Sequence, residues 1–381
     1  MFNQALPKAH IVASSSSFPG QYYAQTTLAD TICDFLTSND LDFPIESVRS
    51  LFKNVEIDGR HFRFPVEDFC NGGKMGKSIE DAIETCVQQS EINVRNLLEA
   101  SGLKGTDIAQ IVSVTLTPTV PSMCARLMNR VAFAPHTKRM PLAGLGCMAG
   151  VAGISRAADY LASHPTEALI LISCELSSGL WQGSVQTDLL NQIRSLKSDT
   201  SQYHEVVMSI VTAALFGDGS GALLMVGDEH PLAKTAAISV FANRSNWIPD
   251  TEHIMGLDVL NDGMRNILRP EVKTFVGAGL KSVIEPLLKQ FKLSSEDIDE
   301  WTLHPGGPKI MDAAESAFNL PKEKMQGSRD TLRKVGNISS ATILYMLDQT
   351  LKNKRPQAGS KGMIVAMGPG FSQEAVLVGW N

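Results

Sequence analysis

Three residues of this chain sit in surroundings that would let them handle an acyl group. Cys147 follows Gly144-Leu145-Gly146 and opens a stretch rich in small residues, GLGCMAGVAGIS. A helix N-terminus carries partial positive charge and unsatisfied N–H groups, which favour a thiolate and hence a nucleophile. On that argument the Cys147 pKa is expected well below the free-thiol value of about 8.5. The competing reading is a small buried hydrophobe. His304 ends a short apolar run and enters a Pro/Gly turn, WTLHPGGP. Such a turn fixes the backbone and admits a ligand closely. An imidazole there can stabilise a thiolate or donate to an oxyanion; a structural histidine is the alternative. Asn337, in GNISSA, is a natural helix N-cap, and its amide is equally a second neutral donor beside His304. Phe216 lies in ALFGDGSG, whose glycines fit neither the P-loop nor G-x-G-x-x-G and read as a tight turn between helix and strand.

The elements that must carry these residues alternate. Apolar runs at 111–115, 168–173, 222–226, 236–241, 362–367 and 375–380 read as buried strands. Helix-like stretches fall at 77–101, 148–161, 272–291, 308–318 and 338–351, so the chain is α/β. Two segments look alike: LAGLGCMAGVAGISRAADYL around Cys147 and RKVGNISSATILYML around Asn337. Each places a polar residue after a glycine and then a helix of small residues, and two such helices can approach closely at a pseudo-twofold centre. Segment 184–205 is the longest polar stretch and reads as a loop or surface helix. A softer boundary lies at 227–234.

Composition narrows the function. With 34 basic against 40 acidic residues over 381, the net charge of −6 disfavours a nucleic-acid surface. Hydrophobic content of 43% supports a folded chain rather than disorder. No apolar run reaches the length of a membrane span, and the first residues lack a signal-peptide pattern. No two of the six cysteines are close enough for a zinc ribbon or a thioredoxin-type pair, so a reducing cytoplasm is expected. A hydrolase elbow G-x-C-x-G would need glycine where Leu145 and Ala149 stand.

Taken in order, GLGCMAG, ALFGDGSGA, HPGGPKIMD, GNISSA and the closing MGPGFS resemble type III polyketide synthases, the chalcone-synthase-like branch of the thiolase fold. Similarity continues through VTLTPTVPSMCARL (114–127), 139–161 and 173–183, and its character is nearer to bacterial alkylpyrone and alkylresorcinol synthases. The resemblance implies a five-layered αβαβα fold with two pseudo-symmetric halves, 1–227 carrying the cysteine and 228–381 carrying the histidine and asparagine, and a homodimer. It implies Cys147 as the acyl-carrying nucleophile, His304 and Asn337 as oxyanion donors, and Phe216 as gatekeeper between coenzyme A tunnel and cavity. Ser339, Thr115, Ser177 and Leu180 match cavity-lining positions. Gly263 and Leu268 fall in a cavity-shaping segment, and Val120 matches a residue that reaches the neighbouring subunit. For coenzyme A, Arg49, Lys53 and Arg60 are the basic candidates, with Gly306 and Gly307 beside His304. The implied substrates are acyl-CoA, expected as a medium or long fatty acyl starter, and malonyl-CoA, with no metal or other cofactor. Segment 184–205 exceeds the family's usual connection and reads as a solvated insertion, a cover for the entrance or an extension of the dimer edge. The rival readings are a single-condensation β-ketoacyl-carrier-protein synthase III, a non-catalytic thiolase-fold scaffold and a cysteine hydrolase.

Overall fold

The computed structural model describes residues 6–67, 75–117, 119–179, 186–196, 203–260, 263–269 and 271–381. Up to residue 227 it contains strands β1 (Ala9–Ser17), β2 (Gln21–Ala24), β3 (Gly59–Phe62), β4 (Ile108–Val114), β5 (Lys138–Leu142), β6 (Ala168–Leu176) and β7 (Asp218–Val226). Its helices there are α1 (Gln25–Ser38), α2 (Ile45–Asn54), α3 (Met75–Ser101), α4 (Met123–Leu127), α5 (Ala149–Ser163), α6 (Gln186–Ser195) and α7 (Tyr203–Leu215). Beyond it come β8 (Ile238–Trp247), β9 (Met255–Leu260), β10 (Gly263–Leu268), β11 (Glu300–Leu303), β12 (Lys361–Gly368) and β13 (Ser372–Trp380), with α8 (Val272–Gln290), α9 (Pro308–Phe318), α10 (Gln326–Val335) and α11 (Ala341–Asn353).

Continuous apolar runs become strands buried on both faces: every residue of β6 and β7 is buried. The main sheet has the order β11-β12-β13-β8-β1-β7-β6-β4-β5. Within it the same unit occurs twice. β1-β7-β6-β4 pair antiparallel, antiparallel, parallel, and β8-β13-β12-β11 do the same. The units meet where Ala9–Ile11 of β1 pair with 238–240 of β8. Helices α5 and α11 lie between them, since one cluster joins Val151 and Ile154 of α5, Ile343 and Leu347 of α11, and strand residues from both units. Outside, α3 covers β1, β6 and β7, and α8 covers β8 and β13. Helix, sheet, paired helices, sheet, helix are the five layers of a thiolase-like fold.

The expected division at 227/228 falls in the connection between β7 and β8, but the two halves do not bury separate cores. Leu28 and Ile32 of α1 share a cluster with Leu280 and Val283 of α8. Of the readings of segment 184–205, the helix is found, and a purely solvated insertion is not. Residues Gln186–Ser195 form α6, which buries Leu189 and Ile193 in that same cluster, and Gln192 Oε1 accepts from the Ser209 hydroxyl at 3.0 Å. Helix α11 starts at Ala341 rather than 338 because Ser339 is left-handed, φ 51°, and Ser340 takes the N-cap position. Asn337 is therefore not an N-cap.

Candidate active site

Cys147 lies in a 3₁₀ turn, Gly146–Met148, that runs straight into α5. The turn needs Gly146, whose φ is +51° and where a methyl would stand 2.6 Å from the Pro369 ring. The thiol donates to Ser339 Oγ at 3.7 Å. Although one face of the residue reaches open space, dense surroundings push the thiol up to about 11: burial dominates and the Glu175 charge adds to it, against hydrogen bonds from Ser339 and Asn337. This corrects the expected low pKa. The helix terminus favours a thiolate, but loss of solvent costs the charged form more.

His304 follows β11, its N–H donating to Val365 O at 2.9 Å. Only 3% of it is exposed, and among the described residues neither ring nitrogen has a hydrogen-bond partner. Burial lowers its pKa to about 4. At neutral pH the thiol and the imidazole are therefore both neutral, the latter with one N–H to give and one lone pair to accept. Asn337 is pinned by its backbone: its N–H donates to Leu215 O at 2.9 Å and its carbonyl accepts from Gly217 N at 3.0 Å, a bridge with Phe216. Its Oδ1 accepts from Ser339 N at 2.8 Å. That bond leaves the amide NH₂ as the group acting on Cys147, whose thiol it lowers.

The juxtaposition depends on how closely α5 and α11 pack. A methyl at Gly150 would stand 2.2 Å from Ser340 O. Ser340 in turn donates its hydroxyl to Glu175 Oε1, while Glu175 Oε2 accepts from Leu116 N at 2.8 Å. Burial pushes this carboxyl up to about 7. Nothing in the strand run ALILISCEL marks Glu175 as part of the site; its place follows from the approach of Ser340.

A cavity of about 470 Å³ brings Cys147, His304 and Asn337 onto one surface. Phe216, Ser177, Ser339 and Leu268 line it too, as do Gly306 and Gly307. Thr115 does not; its neighbour Leu116 does, and the Thr115 hydroxyl accepts from Thr117 N at 3.1 Å. Val120 stands off the surface, 96% exposed. Gly263 opens β10 opposite Leu260. Leu180 lies outside the described residues.

The basic candidates for coenzyme A are placed elsewhere. Arg60 is fully buried and donates to Ala213 O and Phe216 O, so it cannot meet a phosphate in solvent. Arg49 pairs with Asp30 at 2.5 Å, and neither it nor exposed Lys53 lines the cavity. Among the described residues, the lysines and arginines that do are Arg269, Lys273 and Lys309. Lys309 directly follows HPGGP, a position that could have drawn notice; Arg269 and Lys273 flank the start of α8 and carry no motif. Among the described residues no group of three or more His, Cys, Asp or Glu could hold a metal, and no helix is long and apolar enough to cross a membrane.

Comparison with known proteins agrees with this architecture along the whole chain. Residues 239–379 match the family described as chalcone and stilbene synthases, C-terminal domain, and residues 65–193 match FAE1/type III polyketide synthase-like protein. The 1,3,6,8-tetrahydroxynaphthalene synthase of Streptomyces peucetius subsp. caesius is 32% identical, covering 97% of this chain and 93% of the relative. A putative chalcone synthase of Bacillus subtilis (strain 168) is 34% identical, covering 88% and 90%. The crystal structure of 1,3,6,8-tetrahydroxynaphthalene synthase from Streptomyces coelicolor A3(2) superposes with a TM-score of 0.84 at 25% identity, covering 98% and 99% of the two chains. Shared sequence of this extent, on a shared fold, makes the chain a member of the type III polyketide synthase family, acyl-condensing transferases built on a thiolase-like scaffold.

Proposed function

We propose that Cys147, His304 and Asn337 form one centre that loads an acyl group from acyl-CoA and extends it with malonyl-CoA. The observation that carries this is their convergence on a single cavity from opposite halves of the chain. As the Cys147 sulfur attacks the thioester carbonyl, the free lone pair of His304 takes its proton. The carbon–sulfur bond to coenzyme A breaks, and the leaving thiolate receives that proton. Malonyl-CoA then enters with its thioester oxygen between the His304 N–H and the Asn337 NH₂. Its carboxylate leaves as carbon dioxide, and the electron pair of the broken carbon–carbon bond becomes an enolate held by the two donors. The enolate carbon attacks the acyl carbonyl on Cys147 and expels the sulfur. Both donors are neutral at rest, so they can stabilise the developing charge without a counterion to displace.

The finer reading is a medium or long fatty acyl starter, cyclised to alkylpyrone or alkylresorcinol-type products. It is supported by an apolar wall that includes Val207, Val211 and Val272 and by a volume within the ~300–1,000 Å³ typical of small-molecule sites. Phe216 serves as the gate, a role supported by its place on the lining of the cavity that holds Cys147. Arg269, Lys273 and Lys309 receive the coenzyme A phosphates, replacing Arg49, Lys53 and Arg60, and no further cofactor takes part. The exposed Val120 supports a homodimer in which this side chain meets the partner, and the scattered cysteines support a cytoplasmic location. The tetrahydroxynaphthalene synthase relative favours a second reading in which malonyl-CoA alone supplies starter and extender, since all carbons of such a ring can come from malonyl units.

Incubation with malonyl-CoA and a panel of acyl-CoAs, followed by mass spectrometry, decides between them. Extended acyl pyrones or resorcinols are expected. A polyhydroxynaphthalene formed without added acyl-CoA selects the second reading. Extension only from carrier-protein thioesters, or none at all, refutes both.

A further inference from the structure

Arg60 has no counterpart in the chemistry above, yet it has no exposed surface and burying a guanidinium is costly unless its protons are used. One of its nitrogens, Nη1, donates to two carbonyls at the end of α7: Ala213 O at 2.7 Å and Phe216 O at 2.6 Å. A cation at this point also meets the negative end of the helix. Its aliphatic stem fills the space beside two glycines. A methyl at Gly336 would stand 2.7 Å from Arg60 Cγ and Cδ, and one at Gly217 would stand 3.1 Å from Arg60 Cβ. These glycines adjoin Asn337 and Phe216, the two residues already joined by the bridge across Leu215 O and Gly217 N. Gly336 has φ +68°, the conformation that turns the chain into Asn337 and that side chains disfavour. One buried side chain thus contacts both strands of the crossing that presents the gate and the donor.

We propose that Arg60 is a positioning residue: by holding the Phe216 carbonyl and packing on Gly217 and Gly336, it sets where Phe216 and the Asn337 amide stand relative to each other. The proposal rests on the reading that Asn337 stabilises the malonyl-derived enolate. It goes beyond that reading by tying the donor's placement to a residue of β3 that touches neither substrate nor nucleophile. Although burial lowers its pKa to about 9, Arg60 keeps its charge at neutral pH. Lysine there would retain the charge and most of the stem, but its ammonium ends one bond short of the place where Nη1 meets the two carbonyls.

The consequence is selective. Loading of the starter depends on Cys147, on a different helix. Decarboxylation of malonyl-CoA depends on Asn337. In Arg60→Lys, malonyl-CoA decarboxylation should fall by about tenfold or more, the scale expected when a group is displaced by a fraction of an ångström to one ångström, while acylation of Cys147 measured by intact-protein mass stays within about threefold. Gly217→Ala, a milder push on Arg60, should show the same selectivity and guards against a lysine variant that fails to fold. Equal losses in both steps, tracking a lowered melting temperature, would mean a merely structural role and overturn the proposal; so would wild-type rates for both steps in folded variants. Crystal structures of the variants separate this from the fate of the proposed function. Phe216 and Asn337 left in their wild-type positions overturn the positioning role whatever the enzyme makes, and their displacement upholds it even if wild-type protein proves unable to decarboxylate malonyl-CoA.

Discussion

Gly150→Ala is the substitution that most sharply tests how the fold assembles the site. Gly150 lies in the first turn of α5, three residues after Cys147, and a methyl there would stand 2.2 Å from Ser340 O at the head of α11. Real contacts of a Cβ do not fall below 3.0 Å, so the helices must part by about 0.8 Å at that point. The neighbour is backbone and cannot swing aside. Forcing extra volume into a packed interior costs about 1–3 kcal/mol. The functional cost is larger, because Cys147 and the Asn337 turn sit at the heads of the two helices being separated, and a displacement near one ångström can cost ~100-fold in rate. The expected result is a folded protein with a melting temperature lowered by several degrees and a condensation rate reduced by about two orders of magnitude at saturating malonyl-CoA. Steady-state kinetics and thermal unfolding on the same preparation supply both numbers. A variant that keeps its rate within about threefold would refute the claim that the close approach of α5 and α11 sets the catalytic geometry.

Further predictions come from charge and burial. Burial holds Glu175 up at about 7, whereas an unfolded glutamate titrates near about 4.3. Its contribution is therefore fully present below pH ~4.3 and lost as pH rises toward 7; His304, lowered to about 4, acts with the opposite sign and cancels when two proteins sharing it are compared. Melting curves should show wild type losing stability relative to Glu175→Gln between about pH 4.5 and 7, and parallel profiles would contradict this. Leu189→Ala in α6, at a side chain with no exposed surface, should cost about 2–5 kcal/mol in denaturant unfolding; a solvated insertion would lose less than about 0.5 kcal/mol. Reversing the charge at Lys273 and Lys309 should raise KM for an acyl-CoA about tenfold and leave the matching acyl-pantetheine, which lacks the nucleotide, unaffected; equal changes for both thioesters would exclude a phosphate site at this rim.

Much of the scaffold was legible because its local rules agree with its global ones. Strands buried on both faces, such as β6 and β7, write themselves as unbroken apolar runs, and glycines and prolines bracket the turns that present Cys147, His304 and Asn337. What escaped was set by distant partners. Helix α6, QTDLLNQIRS, buries so few apolar side chains that it reads as surface, and only its seat against α7 makes it core. Arg60, in the polar stretch DGRHF, looks solvent-facing until carbonyls 153 and 156 residues away take its protons. The thiol's resting state is hidden from the sequence for a related reason: the helix-terminus argument is local, whereas the burial that outweighs it is supplied by the whole fold.

The central claim is that one sulfur carries the growing chain while an imidazole and an amide from the other half of the molecule activate the extender. Intact-protein mass spectrometry after incubation with a fatty acyl-CoA, followed by proteolytic mapping, tests it most directly when Cys147→Ala and Asn337→Ala are run beside wild type. The account predicts an acyl adduct on Cys147 in wild type and in Asn337→Ala, none in Cys147→Ala, and chain extension on adding malonyl-CoA in wild type alone. An adduct on another residue, or extended product from Cys147→Ala, would contradict it.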